Sequence, residues 1–462
     1  MKNKVQSLKQ GSCILTEKPF VHVLKSKYRK ERCDHCFASE KVFRCSGCNY
    51  VYYCNRNCQT EAWALHKVEC PFLKKIAPRI VPDAARVLAR IILKLQRGGD
   101  LEKGFYTETC FRKFRDLMSH YHEIRTDPKR QEHLESLSMV LHDLLGENLM
   151  PNHTELQGIY GRVCVDLEEL YQKNITLFLV PLQLVVNGFN ILDGEMNSIG
   201  TGIYLGVSVV DHSCTPNAVA TFEGTTLSIR AIADIPSLDW SQIFISYVDL
   251  MQTPADRRAE LKANYYFLCT CSRCINPEES QRMEVASCPN RNCEHPVIVL
   301  DGKDPLKCDE CDTKVTEEFR SEFHEVRDFT KLQLASMRDV ASDLDVCSIC
   351  LARQKNVLHS LNLWHTKTLD LAFESAIEMG KWQEARTFGQ LLLPGFRKYN
   401  GDFNPLLGLL YMKLGKIELF LEHIKEARDY LLEASKILRV THGENHSLYR
   451  IQLIPLLMQT SN

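Results

Sequence analysis

The spacing of apolar residues along the chain predicts two helical regions on either side of a β-rich middle. From about residue 71 to 170, apolar positions recur every three or four residues, as in Ala84–Leu93, Phe111–Tyr121 and Leu134–Leu145. This period is typical of amphipathic helices. The same period returns from about residue 320. We therefore predict helices in both regions.

Between these regions, apolar residues form short runs separated by Gly, Asn and Asp, a pattern typical of short strands. The runs are Leu182–Val186, Gly202–Val210, Ala218–Phe222, Leu227–Ile232 and Ile243–Val248. The combined pattern predicts an α+β fold. Because 462 residues exceed the usual size of one domain, we expect several domains.

The composition is that of a core-forming protein with many cysteines. Hydrophobic residues make up 44% and charged residues 25%, which excludes a wholly disordered chain. The most apolar stretch, Ile175–Leu192, is interrupted by Pro181 and by amide side chains, so we predict core and no membrane span. We expect no secretory signal in the first ten residues, which contain no apolar segment. Among the 20 cysteines, those with paired spacing are therefore expected to bind metal, with zinc as the preferred ion.

Eight candidate metal ligands lie between residues 33 and 70. They are Cys33, Cys36, Cys45, Cys48, Cys54, Cys58, His66 and Cys70. The CxxC pairs bring two sulfur atoms to one side of a tight turn, and the i, i+4 pairs suit one helical turn. Eight ligands suffice for two four-coordinate zinc ions, but the spacing leaves their pairing open.

This segment closely resembles a MYND zinc finger, including the terminal pattern His66-Lys67-Val68-Glu69-Cys70 and the preceding Trp63. The resemblance implies interleaved ligands, with Cys33, Cys36, Cys54 and Cys58 on one zinc and Cys45, Cys48, His66 and Cys70 on the other. It also implies a docking module whose metals supply its folding energy.

Three later motifs carry a second resemblance. They are Asp211-His212-Ser213-Cys214-Thr215-Pro216-Asn217, Ser246-Tyr247 and Cys269-Thr270-Cys271-Ser272-Arg273-Cys274. Their order and the strands around them resemble the SET domain of lysine methyltransferases with its post-SET zinc segment. The order of finger, helical insert, SET core and post-SET segment resembles the SET- and MYND-domain (SMYD) family over nearly the whole chain.

The resemblance implies a protein-lysine N-methyltransferase that uses S-adenosylmethionine to methylate histones or other proteins. A lysine amine, whose usual pKa is about 10.4, needs a dry aromatic channel to become the neutral nucleophile. By motif, Tyr247 is expected to be catalytic, and Phe189 and Tyr265 to line the substrate channel. The expected cofactor contacts are Asn187, Ser208, Asp211, His212 and Phe267. The expected third zinc site consists of Cys214, Cys269, Cys271 and Cys274.

Three departures from the family pattern support an alternative. Asp211 stands where the family usually has asparagine, and residues 240–243 replace an acidic stretch before the tyrosine. A Gly-x-Gly turn that approaches the cofactor in the family is absent, because residues 5–11 align with the strand after it. The alternative is a catalytically impaired, zinc-dependent adaptor or transcriptional regulator of the same family.

Further cysteine pairs follow the post-SET segment. The spacing of Cys288 and Cys293, then Cys308 and Cys311, predicts a zinc ribbon and a fourth zinc ion. The alternative is four thiols without metal. The pair Cys347 and Cys350 also has CxxC spacing but lies in a helical pattern, so we predict buried cysteines there.

The C-terminal helices resemble tetratricopeptide-like pairs, in which Gly marks a turn and Ala allows close packing, as around Gly380 and Gly415. A plain helical bundle is the alternative. The predicted domains are a shortened N-terminal part of the SET domain (1–30), the MYND finger (33–70), a helical insert (71–180), the SET core (181–250), the post-SET segment (260–275), the zinc-ribbon insert (285–315) and the helical tetratricopeptide-like domain (320–462).

Protein partners are expected at the finger and the helical tail, and the expected substrates are proteins with a target lysine. Residues 1–100 contain 20 Lys and Arg against 8 Asp and Glu, a surplus that suits an acidic partner or nucleic acid. No recognition-helix pattern stands beside the metal ligands, so DNA contact is a third and weaker hypothesis. We expect the protein in the cytoplasm and nucleus, without a membrane association.

Overall fold

The computed structural model describes residues 7–163, 187–299, 306–337 and 340–461. Contacts between residues divide the chain into two compact units. The first unit holds the described residues up to 248 together with 260–268, and the second holds 249–259 and the residues from 269 onward. The predicted strand Leu182–Val186 lies outside the described residues, as do parts of the predicted helical insert and zinc ribbon.

The strands of the first unit are short, and they pair into small sheets. They are β1 (Cys13–Glu17), β2 (Val21–Leu24), β3 (Phe43–Arg44), β4 (Tyr52–Tyr53), β5 (Gly104–Phe105), β6 (Phe111–Arg112), β7 (Gly188–Leu192), β8 (Ser198–Ile203), β9 (Asp211–His212), β10 (Ala218–Glu223), β11 (Thr226–Ala231) and β12 (Phe244–Ile245). Antiparallel sheets have the orders β1-β11-β10 and β2-β8-β7. β9 and β12 form a parallel pair, and β3-β4 and β5-β6 form antiparallel pairs.

Strand register joins parts of the first unit that are far apart in sequence. Thr16 of β1 lies opposite Ser228 of β11, and Val23 of β2 lies opposite Thr201 of β8. The cysteine-rich segment and the helices that follow it are therefore inserted between two strands of one sheet. Alternating burial along β11 agrees with one face on the core and one face toward solvent.

The helices of the first unit contribute many residues to a large apolar core. They are α1 (Arg56–Ile76), α2 (Asp83–Leu95), α3 (Tyr121–Thr126), α4 (Pro128–Leu145) and α5 (His153–Val163). The helix predicted over Ala84–Leu93 is confirmed. All ten of these residues are buried, so the helix lies inside the core. The helix predicted over Leu134–Leu145 is also confirmed.

The prediction of a helix over Phe111–Tyr121 is wrong. The apolar residues there belong to separate contacts: Phe111 meets Phe105 across the β5-β6 pair, and Phe114 stacks on Phe20 with ring centroids 5.6 Å apart. Only a 3₁₀ turn forms between β6 and α3. Tertiary contacts thus override a helical spacing of apolar residues.

The second unit is mainly helical. Its helices are α6 (Pro254–Tyr265, whose second half belongs to the first unit), α7 (Ser272–Ile275), α8 (Glu279–Met283), α9 (Glu317–Ser336), α10 (Val340–Gln354), α11 (Leu363–Glu378), α12 (Trp382–Asn400), α13 (Pro405–Phe420), α14 (Ile424–Thr441) and α15 (Ile454–Gln459). Gly380 occupies the predicted turn, with φ at +67°. Gly415 is inside α13, where a Cβ atom would lie 2.6 Å from Cγ of Leu431, so the predicted turn at Gly415 is wrong. Among the described helices, none is both long and apolar enough to cross a membrane.

Candidate metal centres and active site

The eight ligands of the cysteine-rich segment form two groups, each with its ligand atoms within 4.8 Å of one another. One group is Cys33, Cys36, Cys54 and Cys58, and the other is Cys45, Cys48, His66 and Cys70. Sγ of Cys54 lies 3.7 Å from Sγ of Cys36 and 3.5 Å from Sγ of Cys58. Four thiolates about 2.3 Å from one zinc at tetrahedral corners lie about 3.8 Å apart. Both groups therefore fit one zinc ion each, in the interleaved arrangement.

Local structure places the later ligands of both groups on α1. Asn55 caps this helix, and its side chain accepts a hydrogen bond from N–H of Cys58 at 2.9 Å. His66 and Cys70 follow on one helical face because they are four residues apart. Gly47 lies against this face, since a Cβ atom there would be 2.9 Å from Sγ of Cys70. Glycine thus allows the close approach of the turn to α1.

Four buried charged side chains support the second zinc group. Nδ1 of His66 faces the Glu69 carboxylate at 3.4 Å, on the ring edge opposite the zinc group. Glu69 accepts hydrogen bonds from Arg86 at 2.8 Å and from Arg90 at 2.9 Å. Both guanidinium groups also donate to Asp34, each at 2.7 Å. The four charged residues are all at most 3% exposed.

This buried network keeps its carboxylates ionised. Burial alone would raise the pKa of Glu69, but the guanidinium groups of Arg86 and Arg90 hold that pKa well below its usual value. A carboxylate beside the second nitrogen of a zinc-binding histidine fixes the orientation of the ring. The network therefore connects α2 directly to the ligand geometry on α1.

Three further predicted ligands form a tight turn in the second unit. N–H of Cys271 donates to Sγ of Cys269 at 3.5 Å, and N–H of Cys274 donates to the carbonyl of Cys271 at 2.9 Å. The fully buried guanidinium of Arg257 lies 3.8 Å from Sγ of Cys274. Cys214 is buried in the first unit, and its place as the fourth ligand stays a prediction.

The predicted ribbon contributes another group of four cysteines within the second unit. Their sulfur atoms also lie within 4.8 Å of one another. The group consists of Cys288, Cys293, Cys308 and Cys311. The donor sets and spacing of these clusters suit zinc, because soft thiolates at tetrahedral separations are its preferred protein ligands.

Aromatic rings gather around Tyr247 in the first unit. The Tyr247 ring lies 5.0 Å from that of Tyr265 and 5.3 Å from that of His212. Phe267 completes the group, 6.0 Å from His212 and 6.3 Å from Tyr265. Tyr265 is 6% exposed and Phe267 is 36% exposed. We call these four residues the Tyr247 site. The site is buried at Tyr265 and exposed to solvent at Phe267. The faces of its rings can attract a methylated amine.

Two hydrogen bonds hold Tyr247 in place. Its N–H donates to Nδ1 of His212 at 3.0 Å, so Nδ1 accepts and the hydrogen of a neutral ring lies on Nε2. Nε2 lies 3.2 Å from Sγ of Cys214. The phenol donates to the carbonyl of Val210 at 2.5 Å. Burial raises the pKa of Tyr247, and the charge of Asp211 raises it further. The hydroxyl therefore stays protonated, and its oxygen can accept a hydrogen bond from an amine.

Two side chains that the sequence analysis missed hold the turn after β8. The Glu17 carboxylate accepts hydrogen bonds from N–H of Gly206 at 3.0 Å and of Val207 at 2.8 Å. Arg112 donates to the carbonyl of Ser208 at 2.6 Å and to its hydroxyl at 3.2 Å. Each lies at least 96 residues from the turn in sequence, so no local motif could have indicated this role. Ser208, a predicted cofactor contact, thus lies on a rigid turn.

The remaining predicted site residues have other surroundings. The side-chain amide of Asn187 donates to two backbone carbonyls, at 2.9 Å and 3.1 Å. The Phe189 ring packs edge-on against Tyr204, with centroids 5.7 Å apart. Asp211 is exposed at the start of β9. The roles expected for these residues stay predictions.

The zinc-suited groups define a zinc-binding protein, and the aromatic rings of the Tyr247 site are of a kind that can hold a methylated amine. A family model for the MYND finger matches residues 33–70. The chain is 29% identical to the histone-lysine N-methyltransferase SMYD3 of Homo sapiens over 445 residues, covering 96% of this chain and 91% of the relative. It is also 28% identical to the histone-lysine N-methyltransferase ASHR1 of Arabidopsis thaliana over 451 residues, covering 95% of this chain and 88% of the relative.

A third relative is the N-lysine methyltransferase SMYD2 of Homo sapiens. The identity is 24% over 445 residues, which cover 96% of this chain and 92% of the relative. The similarity to all three extends far beyond the finger. The MYND match and the similarity to these relatives over nearly the whole chain support a methyltransferase of the SET- and MYND-domain (SMYD) type.

Proposed function

We propose that this protein transfers a methyl group from S-adenosylmethionine to lysine side chains of histones or other proteins. The observation that carries the proposal is the Tyr247 site, where a protonated phenol stands among aromatic rings. In this proposal the strands of the first unit form a SET core that the finger and helices interrupt. The helices of the second unit form a tetratricopeptide-like domain.

The chain's own residues would prepare the lysine. The oxygen of Tyr247 accepts a hydrogen bond from the lysine amine and so directs the nitrogen lone pair. The buried face of Tyr265 excludes water, which favours the neutral amine over the ammonium form. The ring face of Tyr265 attracts the methylated product, which carries a positive charge.

S-adenosylmethionine, when bound, supplies an electrophilic methyl group on a sulfonium sulfur. The residues around the site fit such a group. Asp211 is exposed, so its carboxylate can accept hydrogen bonds from the cofactor's ammonium group. Ser208 lies on the turn that Glu17 and Arg112 hold, and the half-open ring of Phe267 offers a face for an adenine.

The finger would recruit protein partners. Trp63 is 43% exposed and Phe43 is 56% exposed, and these two large apolar side chains belong to the segment that matches the MYND model. Exposed aromatic side chains are common anchors in protein interfaces. The helical second unit would contribute further partner contacts, and the protein would act in the cytoplasm and nucleus.

The test is methyl transfer by the Tyr247→Phe variant. With labelled S-adenosylmethionine and a histone mixture, we expect kcat to fall by about 100-fold or more, because a fixed hydrogen-bonding group is lost. Zinc content and melting temperature should stay as in the parent protein. The control is Tyr449→Phe, which removes a buried hydroxyl bonded to Ser435 in the second unit. This control should keep full activity.

Two results would count against the proposal. Unchanged turnover in Tyr247→Phe would exclude the assigned role of this tyrosine. A parent protein that binds no S-adenosylmethionine in calorimetry, yet keeps its zinc and its partners, would favour the zinc-dependent adaptor instead.

A further inference from the structure

The cysteine group of the predicted ribbon lies outside both the MYND finger and the Tyr247 site. Sγ of Cys288 lies 3.5 Å from Sγ of Cys311, and Sγ of Cys293 lies 3.8 Å from Sγ of Cys308. These separations match the value of about 3.8 Å expected for thiolates around one zinc ion. We propose that the four cysteines bind a structural zinc ion that anchors this segment to the helical array of the second unit.

The backbone at Cys308 repeats the geometry of the two CxxC turns in the finger. In each turn, N–H of the residue after the second cysteine donates to the carbonyl of the first: Phe37 to Cys33, Asn49 to Cys45 and Asp312 to Cys308, at 2.9, 2.9 and 3.0 Å. The three donors all have positive φ, at 64°, 56° and 55°.

A second hydrogen bond closes each turn. N–H of the first cysteine donates to a carbonyl five or six residues ahead: Cys33 to Ala38, Cys45 to Val51 and Cys308 to Thr313, at 3.0, 2.9 and 3.0 Å. A non-glycine residue in the left-handed region is uncommon. The left-handed residue and the same two hydrogen bonds recur in all three turns, which indicates that the turns have the same role. In the finger, that role is to place two sulfur atoms on one metal ion.

The pair Cys347 and Cys350 shows that CxxC spacing alone does not produce this geometry. Both residues lie inside α10 and are fully buried. Burial raises the pKa of Cys347 to about 12 and that of Cys350 to about 11, so both stay neutral thiols. They belong to none of the ligand groups found among the described residues.

Among the described residues of the ribbon, the apolar contacts are too few to hold it together without a metal. Besides the cysteines, its core has the buried residues Val297, Leu306 and Val315, with Phe319 packed against it. So small a core does not offset the entropy of ordering the loop. A zinc ion would supply the missing free energy, as it does in other small zinc domains.

One backbone hydrogen bond and two contacts from side chains connect the ribbon to the turn before α11. N–H of Ser287 donates to the carbonyl of Val357 at 2.9 Å, and the side chain of Asn362 donates to the carbonyl of Val285 at 2.9 Å. Nε2 of His359 lies 2.9 Å from the carbonyl of Glu294. The ion would therefore order a segment on which the start of α11 rests.

The experiment is a zinc count on purified full-length variants by mass spectrometry. We expect Cys311→Ser to bind one zinc ion fewer than the parent and to lower the melting temperature. Cys347→Ser should keep the parent's zinc content, because Cys347 belongs to none of the ligand groups among the residues that the structure describes. Cys311→His should regain the lost ion, since imidazole is also a zinc ligand. This rescue separates ligation from a general loss of folding.

Equal zinc content in the parent and Cys311→Ser would overturn the proposal. If Cys311→Ser does not fold, cobalt titration of the metal-free parent decides the question. The proposal is supported if the protein binds one more equivalent of cobalt than the finger and the post-SET segment account for, with the absorption spectrum of a four-thiolate site. Absence of that equivalent would refute it. Neither measurement depends on methyltransferase activity, so the proposal stands or falls separately from the proposed function.

Discussion

Replacing Arg86 with methionine is expected to destabilise the first unit strongly. In the native protein the guanidinium donates to Asp34 at 2.7 Å and 2.9 Å and to Glu69 at 2.8 Å, all in a dry environment. Methionine preserves much of the apolar stem but removes the charge and these donors. Two buried carboxylates would then share one remaining guanidinium, that of Arg90.

The magnitude follows from burial. All members of the network are at most 3% exposed, so water cannot replace the lost hydrogen bonds. Removing one partner from a buried ion pair typically costs about 3–5 kcal/mol, because a charge is left uncompensated. For a unit of this size, each kcal/mol lowers the melting temperature by about 2–4 °C, so a decrease of roughly 6–20 °C is expected.

The assay is scanning calorimetry of the zinc-loaded protein, with zinc release followed by a chromophoric chelator. Arg79→Met is the matched control, since Arg79 pairs with Asp143 at 3.1 Å but the two side chains are 69% and 55% exposed. That exposed pair should contribute less than about 1 kcal/mol. A melting temperature for Arg86→Met as close to the parent as that of Arg79→Met would refute the reasoning.

Three further predictions concern local contacts. Gly47→Ala should speed zinc release to a chelator, because its Cβ would meet Sγ of Cys70 at 2.9 Å; an unchanged rate would show that the turn can move away. Arg112→Met should weaken S-adenosylmethionine binding in calorimetry by about 10-fold or more, through loss of charged hydrogen bonds to the turn at Ser208, with no change in zinc content. Burial lowers the pKa of His133 to about 4 in the folded protein, whereas the pKa in the unfolded chain is 6.5. The unfolded chain therefore takes up a proton first as the pH falls, so the free energy of unfolding is highest above pH 6.5 and decreases between pH 6.5 and 4. His133→Gln should reduce that slope in denaturation measured across this range, and an equal slope in both proteins would contradict the assignment.

The sequence by itself determined the metal chemistry, because ligand geometry in these sites is local. A CxxC turn or an i, i+4 pair brings two ligands together over at most five residues, whatever the rest of the chain does. The helix at Ala84–Leu93 was predictable for the same reason, since its apolar period is read within one short window. The motif around Tyr247 likewise indicated the class of chemistry.

Only the tertiary structure decided which distant groups meet. Arg86 contacts Asp34, which is 52 residues away in sequence, and Arg112 contacts Ser208, which is 96 residues away. No sequence motif that contains both partners predicts either contact. The apolar spacing of Phe111–Tyr121 favoured a helix, yet strand pairing and ring contacts prevailed there. Local spacing limits what a segment can form. The strand register and the burial of the whole unit then decide which structure the segment forms. The reason is that buried charges and apolar rings are stable only where partners from elsewhere in the chain cover them.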